Sequence, residues 1–121
     1  MDPRFQLGLE AYGQGLHYEA HEFWEEIWLD EENDVRRSLL QALIQMTSAI
    51  HKVQNHVARP GSITLLSRAL DRLQTVPDEY EGVDIAALRE AIVRCRTEVE
   101  RLVSEGDDVL DPRFIPSIRA P

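Results

Sequence analysis

The stretch from Val35 to Val57 constrains this chain more than any other. Leu40, Leu43, Ile44, Thr47, Ile50 and His51 fall on one face at about 100° per residue, the period of an amphipathic α-helix. A helix that long with one apolar face has to be covered by other elements. The sequence supplies further helices and no convincing strand.

Asp2-Pro3 is a helix start, with Asp as N-cap and Pro at the first helical position. Phe5, Leu9 and Tyr12 follow as a stripe, and Gly13 and Gly15 end it. The predicted helices cover about 3–13, 18–30, 35–57, 62–75 and 85–104. Asn33 or Asp34 caps the third, Pro60-Gly61 stops it, Asp84 caps the fifth and Gly106 closes it. "PDEYEGVD" reads as a loop. The tail, 107–121, holds three prolines in "DPRFIPSIRAP" and cannot be a regular helix. Its Phe114, Ile115 and Ile118 predict an extended strap along the bundle. "DPRF" occurs at both Asp2 and Asp111, too short a match for a repeat. The expectation is an all-α, five-helix bundle or array in one domain, 1–121.

Charge narrows the function classes. The formal net charge is -9, and phosphate backbones require a basic surface, so no nucleic-acid partner is expected. Lys52 is the sole lysine and every other basic side chain is arginine. Many carboxylates with almost no lysine suit a halophilic protein kept soluble in high salt, where screening removes self-repulsion. An arginine-rich acidic protein from a GC-rich genome is the plainer reading. Cys95 is alone, so no intramolecular disulfide can form. The first 30 residues are too acidic and polar for a signal peptide. No apolar run reaches the ~20 residues of a membrane span. A cytoplasmic protein with no membrane partner is expected.

"EAHEFWEEIW", Glu19 to Trp28, carries the candidate chemistry. On a helical wheel Ala20, Phe23, Trp24, Ile27 and Trp28 form the apolar arc. Glu19, Glu22, Glu26 and Asp30 lie opposite, as a solvated face. His21 and Glu25 fall between, four residues apart and turned inward beside Trp28. Such a pair can put an imidazole nitrogen and a carboxylate on one cation, or be an ion pair that fixes the histidine tautomer. His51, on the third helix's apolar face, would lie roughly level with them in an antiparallel hairpin. His21, Glu25 and His51 would then converge with one position open, the ligation of a catalytic divalent metal such as zinc or manganese. Glu22 is the candidate base, although the wheel turns it outward. A metal-free polar cluster explains the same spacing, since buried histidines need partners in any case. Gln41, Gln45, Ser48 and Lys52 make a polar stripe, for substrate or supporting hydrogen bonds. Trp24 and Trp28 are core anchors, Trp28 also standing with Gln41 and Gln45 as a candidate to contact a ligand or support the site, and His17 and His56 are expected in solvent.

"YEAHEFWEEIW", "LLQALIQMTSAIHKVQN" and "LLSRALDRL" resemble, in order and separation, the small all-helical family known as domain of unknown function 309. The resemblance runs from about Phe5 to Leu73. It implies a compact helical array, often labelled a predicted metal-dependent hydrolase, with polar positions at His21, Glu22, Glu25, Gln41, Gln45 and His51. The stretch after the third helix reads "NHVARPGSITLL", without the family's usual Gly-Asn and Gly-Ala. "LEAYGQGLHYEAHEFWEE" also looks like one tetratricopeptide-type hairpin, without the further copies an array needs. Two functions stand: a non-catalytic module binding a protein or small molecule, and a metal-dependent hydrolase. A homo-oligomer would follow from an exposed aromatic stripe on the first helix.

Overall fold

The computed structural model describes residues 2–55, 60–106 and 109–121. In chain order the elements are α1 (Pro3–Gly13), α2 (His17–Asp30), α3 (Asp34–Asn55), α4 (Pro60–Leu73), β1 (Glu79–Tyr80), β2 (Val83–Asp84), α5 (Ile85–Glu105) and a 3-10 turn (Pro112–Phe114). The all-α architecture holds. The predicted loop "PDEYEGVD", however, contains a small antiparallel hairpin pairing Glu79 with Asp84 and Tyr80 with Val83. Its turn residues, Glu81 and Gly82, both have positive φ (50° and 75°). A tight two-residue hairpin needs that backbone, and a glutamate there conceals the signal. His56 and Val57, and the first residues of the expected strap, lie outside the described residues.

α3 is the hub, packed between α2 and α4, while α1 lies on α2 and α4 on α5. Sandwiching widens its buried arc. Leu39, Leu40, Ala42, Leu43, Met46, Thr47, Ala49, Ile50 and Val53 are all buried, about half the helix circumference at 100° per residue. Ile44 falls just past the edge and is only partly buried, and His51 is exposed. The centre of the face is displaced from the predicted one because Leu39, Met46 and Val53 belong to it.

Capping follows the sequence closely. The Asp2 carboxylate accepts from the Arg4 N–H at 2.9 Å, Asn33 from Arg36 at 3.0 Å, and Asp84 from Ala87 at 3.0 Å. Gly106, at φ 74°, ends α5 with its N–H on the Leu102 carbonyl. Pro60 opens α4 rather than merely stopping α3, a position where its missing N–H costs nothing. The two "DPRF" segments behave alike locally: Asp111 accepts from the Arg113 N–H at 3.0 Å. The first seeds an 11-residue helix, whereas the second yields one 3-10 turn, because Pro116 bars propagation.

α1 approaches α2 through Gly8. A Cβ there would lie 2.2 Å from Nε1 of Trp24, so only glycine lets the indole seat against the helix backbone. Trp24 is fully buried and donates from Nε1 to the Phe5 carbonyl at 3.3 Å. Phe5 and Tyr12 are buried, so the stripe of α1 is covered, and that ground for a dimer is lost. The strap crosses the open end of this pair. The Tyr12 O–H donates to the Pro116 carbonyl at 2.5 Å, and the Asp84 N–H to the Arg119 carbonyl at 2.8 Å. Leu110 and Pro116, both of the strap, are buried.

Candidate functional site

α2 and α3 are antiparallel neighbours joined by a short turn, and their register places Tyr18 beside His51, with ring centroids 6.1 Å apart. By that register His21 lies level with Ser48, about one turn short of His51. His17, Tyr18, His21, Thr47, Ser48, His51 and Lys52 line one cavity of about 180 Å³. Three histidines and the sole lysine thus share a groove on a strongly acidic chain, and no carboxylate lines it among the described residues.

Glu25 is elsewhere. His21 Nε2 and Glu25 Oε2 are 3.4 Å apart, a one-turn pair on the surface of α2. The Glu25 side chain is half exposed, not turned inward as its wheel position suggested. It faces a shallow depression with His21, Glu22, Glu26, Tyr18 and Leu29. Glu22 is exposed there as well, its carboxylate near the Tyr18 phenol, whose pKa it raises by hydrogen bonding and charge. Among the described residues, no three His, Cys, Asp or Glu side chains are grouped to hold one metal ion. The predicted meeting of His21, Glu25 and His51 therefore divides into a His21–Glu25 pair and a separate histidine groove that they share only through His21.

Trp28 does not border that groove. It is ten residues along α2 from Tyr18, roughly 15 Å at the helical rise. The Arg37 guanidinium covers its ring at 4.5 Å and donates to the Trp28 and Glu31 carbonyls at 3.0 and 3.1 Å. This closes the end of α2 near the turn. Trp28 Nε1 and Gln45 Oε1 are buried atoms without a protein partner among the described residues. Gln41 and Gln45 are partly buried along the polar stripe of α3.

The exchange between His17 and His51 is the largest correction. His17, expected in solvent, is 5% exposed, with its ring 5.1 Å from that of Tyr12. The turn at Gly15 (φ 79°) folds the start of α2 beneath α1 and the strap. Burial lowers the His17 pKa below its ordinary 6.5; Gln54 opposes that shift and the neighbouring His51 adds to it. His51, expected in the core, is exposed. Its Nδ1 lies 3.2 Å from the amide nitrogen of Asn55, so it is satisfied within its own helix. His17 precedes His21 by four residues, and that i,i+4 spacing is the signal that could have placed it on the groove side. Cys95 is buried and its thiol is pushed up to about 12, which removes it as a nucleophile.

The fold and this groove define a helical chain in which α2 and α3 form the central hairpin. The family model described as domain of unknown function (DUF309) matches residues 5–62, the stretch from α1 to the first turn of α4. The resemblance seen in the sequence is borne out over that stretch. The chain is also 27% identical, over 79 residues, to an uncharacterized protein of Aquifex aeolicus (strain VF5). That alignment covers 65% of this chain and 23% of the relative, so the chain spans less than a quarter of that protein's length. No described helix is long and apolar enough to cross a membrane.

Proposed function

We propose that the protein is a non-catalytic helical binding module that holds a small molecule or a partner's side chain between α2 and α3. One observation carries this reading: His17, Tyr18, His21, His51 and Lys52 line one groove, and no carboxylate lines it among the described residues. Imidazole and phenol rings along a mainly apolar wall suit a planar ligand, as small-molecule sites commonly do. A cytoplasmic location and adaptation of the acidic surface to high salt belong to the same proposal. Rising thermal stability between low and molar sodium chloride would support the salt adaptation, and a flat response would count against it.

The second reading, metal-dependent hydrolysis, is favoured by the His21–Glu25 pair at 3.4 Å. There His21, Glu25 and His51 would be the ligands and Glu22 the base. Elemental analysis with zinc and manganese titration of wild type and His51→Ala separates the two. The binding module predicts no stoichiometric metal in either protein. It also predicts saturable amide shifts at Tyr18, Ser48 and Lys52 on adding phenol as a planar probe. One equivalent of metal in wild type, lost in His51→Ala, overturns it in favour of the hydrolase.

A further inference from the structure

A second cavity lies between α5 and the strap, away from the α2–α3 groove. It encloses about 180 Å³ and is lined by Arg94, Arg113, Arg119, Ser117, Phe114 and Glu90, among others. Three arginines and a serine therefore line one small space on a chain of net charge -9, with one acidic residue, Glu90, among its lining.

The ion pairs of these arginines matter. Arg113 is engaged by Asp111 at 3.1 Å and lies 5.3 Å from the Phe114 ring centroid. Arg94 and Arg119 have no carboxylate partner among the described residues. On a chain with 22 acidic residues against 13 basic ones, two arginines without a carboxylate partner among the described residues line the same cavity. The backbone beneath them is fixed. Hydrogen bonds hold the strap at Pro116 and at Arg119, on either side of Ser117. A site whose backbone is already ordered loses less entropy on binding.

We infer that this cavity binds the phosphoryl group of a small phosphomonoester, with Arg94, Arg113 and Arg119 as charge-assisted donors and the Ser117 O–H as a further donor. Guanidinium forks match the geometry of phosphate oxygens. The negative net charge disfavours an extended polyanion, which needs a basic surface along its length, but leaves a compact anion at a local positive site. The organic part has room on the other side of the strap. There a cleft of about 530 Å³ shares Ser117 and Arg119 and is lined by Leu9, Ile118 and His17, among others.

Phenyl phosphate is the probe, titrated into the full-length ¹⁵N-labelled protein with ionic strength held constant by sodium chloride. Saturable shifts are expected at the Arg94, Ser117 and Arg119 amides. The double variant Arg94→Gln/Arg119→Gln should weaken binding by about tenfold or more. Both side chains are exposed, so an unchanged circular dichroism spectrum is expected of that variant. Shifts that persist in it, or that chloride alone reproduces, overturn the inference. Sedimentation with phosphatidate vesicles without any response to phenyl phosphate also overturns it, in favour of a lipid headgroup. Phenol alone, the groove's probe, should leave the Arg94, Ser117 and Arg119 amides unshifted, which keeps this test separate from that of the groove.

Discussion

His17 and His51 face the same groove from opposite helices, yet they stand in opposite environments. His17 is walled in by Tyr12 and lies beneath the strap; His51 is open to solvent and bonded within its own helix. A histidine's position on its own helix decides little here. What decides is which other elements cover it. α1 and the strap converge on the start of α2, and nothing equivalent closes over the groove-facing edge of α3 among the described residues.

The most severe way to break this contrast is to remove Trp24, whose ring lies 6.1 Å from that of Tyr12, the wall beside His17. Trp24→Ala should destabilise the protein by about 3–5 kcal/mol, as truncation of a fully buried aromatic does, and should expose His17 in whatever folded fraction remains. Chemical denaturation with tryptophan fluorescence from Trp28 measures this. His17→Ala should cost about 2 kcal/mol from lost burial and ring contact, by the same denaturation assay.

Acidity tests the same residue without cutting it out. The folded-state pKa of His17 is lowered from 6.5 by burial, so the unfolded chain binds the proton more readily. The stability gained from a neutral His17 is complete above 6.5 and is lost as pH falls from there through the folded value. Urea midpoints should therefore decline on acidification below about pH 6.5, and His17→Gln should flatten that limb. An equal slope in the variant would place the titrating group elsewhere.

Tyr12→Phe removes the hydroxyl that holds the strap at Pro116 and leaves the ring beside His17. It should cost about 1 kcal/mol and raise amide exchange along 114–118 more than in α3. Smallest is His51→Ala, expected within about 0.5 kcal/mol of wild type in urea denaturation, as for an exposed helix position. A loss comparable to that of His17→Ala would mean that His51 is buried after all.

Local signals carried most of the fold. Asp2, Asn33, Asp84 and Gly106 mark helix ends in the sequence and cap them in the structure, since capping involves only neighbouring residues. The strap was legible from its prolines and apolar side chains. The hairpin at Glu79–Asp84 was not, because Glu81 takes a left-handed conformation usually announced by Asn, Asp or Gly. The site was half legible. His21 and His51 belong to the groove, and register alone put them near one another. Glu25 was misplaced because the wheel shows which way a residue points but not where the neighbouring helix stops. His17 was missed because its burial depends on α1 and on a strap almost a hundred residues away in sequence. The arginines of α5 and the strap are likewise brought together only by the tertiary fold.

The central proposal is that these histidines line a binding groove rather than share one metal ion, with His17 as its enclosed member. Imidazole ¹⁵N resonances recorded against pH, without and with one equivalent of zinc, test it most directly. The account predicts that His17 titrates below 6.5 and that zinc moves no pair of histidine rings together. Joint coordination shifts of His21 and His51 at one equivalent, or a His17 that titrates at or above 6.5, would contradict it.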